Sequence, residues 1–355
     1  MSASGSSKRY ANNWNEYASG DPSKSEISTY FQHIITKGRK DNTYKLALAR
    51  FLIEHAAQNK PSRTISYETI ADAFLKYYWH QECKYRIRQN APGKHDPSVI
   101  TAIRKVFGEK YLPDKFEDIS DDKKQRARKI ILKKVFGHEK NKTSMVIPRF
   151  QNVKSGTTIT KKKIFYEYDD DAQQIMLRPE ALEFLKNNRI MLYNSVILEW
   201  VTFLEKVNRG MPMLVAKTTN IYGERGSLVS FRKILQLAEQ HCFYCNSSFH
   251  KDTPHVDHFI PWSYVFEDEM WNLVLSCPRC NTSKSDSLAA ETFLIDLIKR
   301  NSRDDIPTLR ESVLRLGPDK PYKVNMQVQY DWEYEIRKKY ENCAELGFLL
   351  WSPKA

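Results

Sequence analysis

The chain has 355 residues, 41% hydrophobic and 12% aromatic, enough apolar material for packed cores and incompatible with a globally disordered polymer. At that length there is room for two or three domains, since domains usually run about 100–200 residues. The formal net charge of +13, from 56 Lys and Arg against 43 Asp and Glu, points to a polyanionic partner and makes the location of the excess the first question.

Residues 1–25, rich in Ser, Asn and Gly, read as a flexible lead-in with no apolar segment of the secretion-signal kind. No apolar run approaches the roughly 18–20 residues that cross a bilayer. A cytoplasmic protein with no membrane partner is expected. Over 26–120 the pattern predicts a helical N-terminal domain. Two helices lie between Ser28 and about Gln58, broken near Gly38, and a third is capped by Ser66, with Thr69, Ile70, Ala73, Phe74 and Tyr77 along one face. Such a helix can open a small DNA-binding unit, but it is more often core.

The charge excess sits in the next segment, 121–165, read as a basic helix followed by a hairpin or arm. Between Lys123 and Lys163, fourteen Lys or Arg face one acid, Glu139. They are Lys123, Lys124, Arg126, Arg128, Lys129, Lys133, Lys134, Lys140, Lys142, Arg149, Lys154, Lys161, Lys162 and Lys163. The run DDKKQRARKIILKKVFG predicts an amphipathic helix that buries Ile130, Ile131, Leu132, Val135 and Phe136. A stretch of this kind grips phosphates without reading sequence, so it is expected to bind nucleic acid.

Residues 166–240 read as helical, with one or two helices over 178–207, Trp200 and Phe203 in the core, and a further helix from Ser230 to about Gln240. A small module follows at 241–290, then a C-terminal helical extension over 291–355. In the extension SLAAETFLIDLIKRN reads as a helix, Pro307, Pro318 and Pro321 mark a turn-rich connector, and DWEYEIRKKYENCAELG forms a last helix. Residues 251–355 carry 14 basic and 17 acidic residues, so this end does not make the protein basic. The fold class expected is mainly α and multidomain, with one small non-helical module.

That module carries the chemistry. Cys242-x2-Cys245 and Cys277-x2-Cys280 stand 31 residues apart. Each pair forms a knuckle that turns two thiolates to one side, and two knuckles complete a tetrahedral zinc site with no open position, hence a structural Zn2+. In a reducing compartment such pairs favour metal over disulfide. Between the knuckles lies VDHFIPWS, an adjacent carboxylate and imidazole on a strand-like run. Strand alternation sends Asp257 and His258 to opposite faces, so they share one site only if the strand bends or pairs irregularly there.

Asp257-His258-x2-Pro261, Asn272-Leu273 and Cys277-x2-Cys280-Asn281-x2-Lys284 together resemble the HNH, or ββα-metal, nuclease family. The likeness covers roughly residues 240–290. It is similar in particular to variants with Asn at the third motif position, such as the HNH module of RNA-guided CRISPR effector nucleases and many phage-related and restriction nucleases. The resemblance implies two antiparallel strands and a helix around one divalent cation, with Asp257 and Asn281 as oxygen ligands suited to Mg2+ or Mn2+. It further implies His258 as the base that activates water, Asn272 as the residue holding the loop that aims His258, and cleavage to a 5′-phosphate and a 3′-hydroxyl.

Lys284, one turn beyond Asn281, is a candidate phosphate neutraliser or else a solvated helix lysine. His255, on the Asp257 face, is a candidate extra ligand or substrate contact. DNA is the expected substrate, with RNA the other nucleic acid the motif admits. The layout also resembles HNH effectors of prokaryotic anti-phage systems of Zorya or restriction type, which implies defence-system partner proteins. The competing class is a non-enzymatic zinc-ribbon adaptor, which accounts for the cysteines and the charge but not for Asp257, His258, Asn272 and Asn281 together.

Overall fold

The computed structural model describes residues 23–36, 42–90, 94–108, 115–137, 146–155, 158–161, 163–219, 227–249, 253–314, 322–324, 327–329 and 332–353. Residues 1–22 of the expected lead-in, together with Glu139, Lys140, Lys142, Lys162 and His250, lie outside them. The described chain is mainly helical, as its periodicity predicts, with short antiparallel strands set between the helices. It divides into two units, one of residues 1–75 and 124–199, the other of 76–123 and 200–355. Among the described residues no helix is long and apolar enough to cross a membrane.

In the first unit the helices Lys24–Thr36 and Tyr44–Ala56 pack with Pro179–Asn187 around edge-on contacts of Phe31 with Phe165 and Phe184, at 5.7 and 6.3 Å between ring centres. A three-stranded antiparallel sheet runs Thr64–Ser66, Gln174–Leu177, Tyr166–Asp169 in spatial order. Buried Gln151 accepts from the Phe165 amide at 2.8 Å and donates to the Tyr166 carbonyl at 2.9 Å, so its side chain substitutes for missing backbone partners. The Ser66 hydroxyl accepts from the Thr69 amide at 3.2 Å and caps the helix Tyr67–Trp79. The buried face keeps Ile70, Phe74 and Tyr77 as expected but shifts at its start. Tyr67, Ile70, Ala71 and Phe74 are buried and Thr69 is exposed, because Tyr67 donates to Asp170 and lies against Phe136.

The basic helix spans Asp121–Val135 and buries Ala127, Ile131, Leu132 and Val135, with Phe136 just beyond and Ile130 half-buried. Lys129, Lys133 and Lys134 point outward, and Arg128 reaches Asp72 at 3.1 Å. The expected hairpin pairs Asn152–Ser155 with Thr158–Lys161. Lys163 is bound to Glu167 at 2.7 Å.

The second unit holds the two-knuckle module. Strands His255–His258 and Leu273–Ser276 pair antiparallel, and the helix Pro278–Lys284 packs on the first of them. Trp200 is buried as expected, whereas Phe203 is only half-buried. Two expectations are corrected here. The helix read from Ser287 starts instead at Glu291, because Leu288–Ala289 form a strand parallel to Leu350–Trp351, with Ala290 donating to the Trp351 carbonyl at 2.8 Å. The proline-marked connector contains a helix, Leu309–Leu314, whose Leu309 and Val313 are buried. The last helix, Trp332–Glu345, sends the Tyr340 hydroxyl to the Ala289 carbonyl at 2.7 Å.

Candidate metal and catalytic site

The first knuckle forms because Asn246 adopts a left-handed conformation, φ +57°, which closes the turn through Asn246 N to Cys242 O at 2.9 Å and Cys242 N to Ser247 O at 2.8 Å. In the second, Pro278 opens a helix at its first position and the Cys277 sulfur caps it, accepting from the Cys280 amide at 3.4 Å. Phe243 N bonds Leu275 O at 2.9 Å, tying the first knuckle to the strand that leads into the second. The sulfurs of Cys242, Cys245, Cys277 and Cys280 come within 4.8 Å of one another, and Cys245 Sγ lies 3.8 Å from Cys277 Sγ. Four thiolates about 2.3 Å from a zinc ion would stand roughly 3.8 Å apart, so the donor set fits Zn2+ in both chemistry and span. Burial opposes ionisation of Cys245, yet hydrogen bonds from Ser247 bring its thiol down to about 6, which favours the ligating form.

The strand His255–His258 keeps regular register, Asp257 opposite Val274 and His258 opposite Leu273, and the ladder continues with Phe259 N to Asn272 O at 2.8 Å. The expected irregularity is therefore absent, and the two neighbours part. Asp257, 6% exposed, faces the helix, where its Oδ2 accepts from the Tyr244 hydroxyl at 2.5 Å and meets Lys284 Nζ at 3.0 Å. His258, 2% exposed, presents Nε2 to Asp268 Oδ1 at 2.8 Å.

Asn281 lies one helical turn before Lys284, and His255 two residues before Asp257. These spacings match, so Lys284 meets Asp257 while the Asn281 amide donates to His255 Nδ1 at 3.1 Å. Asp257 and Asn281 thus belong to one strand–helix contact, each with a different partner across it. Beside them an open depression of about 240 Å³ is lined by Leu228, Val229, Arg232, His255, Val256 and Asn281.

Asn272 is fully buried. Its carboxamide makes a two-way clamp on the backbone of one residue, accepting from Ile260 N at 2.8 Å and donating to Ile260 O at 2.8 Å. The turn Met270–Asn272 is itself held. Buried Arg300 donates to Met270 O at 2.9 Å, and Trp271 N donates to the Ser312 hydroxyl at 3.1 Å.

Residues 242–287 match the HNH endonuclease family. A match of this kind implies a metal-dependent nuclease module with nucleic acid as its substrate class, here joined to a four-cysteine cluster. Residues 24–134 match a second family, a domain of unknown function (DUF8808). No curated protein and no solved structure matches the chain.

Lys284 departs from both expectations made for it. It is fully buried rather than solvated or turned to a phosphate, because its ammonium is taken by Asp257 and, at 2.7 Å, by the His258 carbonyl. Tyr244 and Asp268 were not singled out from the sequence. A tyrosine inside a knuckle and an acid in FEDE carry no local signal, and only the folded arrangement brings them to Asp257 and His258. Among the described residues the four cysteines are the one group of three or more His, Cys, Asp or Glu side chains gathered closely enough for a metal. Asp257 and Asn281 offer two oxygen donors, the short ligand set that Mg2+ accepts when water and phosphate oxygens complete its shell.

Proposed function

We propose that this chain is an HNH endonuclease of the HNN type that hydrolyses phosphodiester bonds of DNA, with His258 as general base and Zn2+ as a structural clamp on the four cysteines. The reading is carried by the pairing of His258 with Asp268 inside the matched module. Asp268 holds the ring at Nε2, and a neutral imidazole can take a proton from water. Asn272 fixes Ile260 two residues on, so the ring is set from both sides of the chain. Asp257 and Asn281 would hold Mg2+ or Mn2+, which when bound supplies charge neutralisation at the leaving oxygen. Lys284 serves here to hold Asp257 and the His258 carbonyl rather than to touch the phosphate.

His258 is covered in this structure, and Asp268 follows Phe266, whose backbone is left-handed at φ +61°. The base reading therefore requires the Asp268 contact to open and the His258 ring to turn toward Asp257 and Asn281. Lys123, Lys124, Arg126, Arg128, Lys129, Lys133, Lys134 and the basic arm to Lys163 are assigned to phosphate contact outside the reacting centre. A setting in prokaryotic anti-phage defence is proposed on the joining of a small nuclease module to a large helical region.

The test is nicking of supercoiled plasmid in Mg2+ or Mn2+. His258→Ala should lose about 10²–10⁴-fold in rate with zinc content unchanged. Equal activity of the two proteins removes His258 as the base, and equal inertness on every DNA and RNA form with either metal favours the zinc-ribbon adaptor instead.

A further inference from the structure

Tyr244 lies between the two ligands of the first knuckle, Cys242 and Cys245, and its backbone has little freedom. The knuckle turn fixes it on both sides, and Phe243 is pinned to Leu275 of the neighbouring strand. Its ring is wedged edge-on against Phe293 and Trp351, at 5.5 and 5.1 Å between centres, and is 6% exposed. From this fixed base the hydroxyl donates to Asp257 Oδ2 at 2.5 Å. Lys284 Nζ approaches the same oxygen at 3.0 Å.

Both donors converge on Oδ2. Among the described residues both side-chain contacts of Asp257 fall on Oδ2, and Asn281 bonds His255 of the same strand. A carboxylate held by one oxygen presents the other in a single direction, which is how outer partners orient metal ligands.

We propose that Tyr244 is a positioning residue that couples the four-cysteine cluster to the carboxylate: the zinc-bound knuckle sets the phenol, and the phenol, with Lys284, aims Asp257 Oδ1 at a divalent cation. This rests on the reading of Asp257 as a ligand of that cation. The two metal sites of the module are then arranged in series. Loss of zinc weakens binding of the second metal without any contact between the ions, and the link is one hydrogen bond long. A tyrosine that merely fills the core does not have this consequence, because its ring contacts with Phe293 and Trp351 would be kept by phenylalanine.

The experiment is Mn2+ titration of zinc-loaded full-length protein, read by the electron paramagnetic resonance of free Mn2+, with zinc measured by elemental analysis. Tyr244→Phe should keep its zinc and its melting temperature to within a few degrees, yet bind Mn2+ about 10- to 100-fold more weakly. Lys284→Met, which releases the same oxygen, should also weaken Mn2+. Asp257→Ala should abolish the binding, and His258→Ala should leave it intact while losing nicking.

Unchanged Mn2+ affinity in zinc-loaded Tyr244→Phe overturns the coupling and leaves the nuclease reading standing. Wild-type affinity in Asp257→Ala removes the ligand assignment beneath it, and the coupling with it. Should Tyr244→Phe lose zinc or unfold, the Lys284→Met titration decides: unchanged Mn2+ affinity there overturns the proposal.

Discussion

Replacing Asn272 by alanine would leave the Ile260 N–H and C=O without the side chain that pairs them, in a fully buried setting. Each unsatisfied backbone group costs about 1–3 kcal/mol, so a loss of roughly 2–6 kcal/mol is expected, read as a fall in the urea midpoint, with Asn272→Asp intermediate because it keeps the acceptor and loses the donor. A loss under about 1 kcal/mol would mean that Ile260 finds other partners. At this scale the sequence was readable where a residue's role depends on its type and spacing. The cysteines could be picked out in this way, and so could Asn272, which holds the Ile260 backbone. Lys284 could not be. A lysine one turn into a helix reads as solvated, and its burial depends on two acceptors, Asp257 and the His258 carbonyl, that only the strand–helix contact brings to one point. Asp268 was hidden for the related reason that its partner lies ten residues away across a loop.

Among the elements, the helix Leu214–Thr219 carries a fully buried lysine. Lys217 Nζ donates to the Tyr264 carbonyl at 2.7 Å beneath the Tyr264 and Phe266 rings, and burial brings its ammonium down to about 7, against the opposing charges of Cys343 and Asp286. The ordinary lysine value is about 10.4. Between these values the unfolded chain holds a proton that the folded chain has released, so this group makes stability rise with pH from about 7 upward. Below pH 7 both states are protonated and the full cost of the buried charge remains. Burial raises Tyr264 above its ordinary value, and that phenol acts only beyond about pH 10. Urea midpoints at pH 6.5, 8 and 9.5 should therefore climb in wild type and stay flatter in Lys217→Met. Parallel curves for the two proteins would show that Lys217 keeps its proton. Periodicity gave the helices well, including Asp121–Val135 with its buried Ile131 and Val135. It failed at Leu288–Ala289, because two apolar residues fit a helix as readily as a strand and their partner, Leu350–Trp351, lies about sixty residues downstream.

For the molecule as a whole, the basic helix beyond Lys123 belongs to one unit and the nuclease-type module to the other. On the proposed function, capture and cutting would then be separable properties. Changing Lys129, Lys133 and Lys134 together to Glu should weaken DNA binding and lower the slope of log affinity against log salt by roughly 2–3, since each phosphate contact contributes about 0.9. Mn2+ affinity in the absence of DNA should not change. An unaltered salt slope, measured by fluorescence anisotropy, would place the grip elsewhere.

The strand Leu350–Trp351 has a consequence in time. Part of the wall behind Tyr244 is a residue 107 positions later in the chain, whereas the two knuckles need the chain only as far as Cys280. At about 5–20 residues per second, Trp351 follows Cys280 by roughly 4–14 seconds. A ribosome therefore carries for that interval a module able to take zinc but not yet braced at Tyr244, and the site reaches its final form only after the stretch matched to the HNH family has long been synthesised.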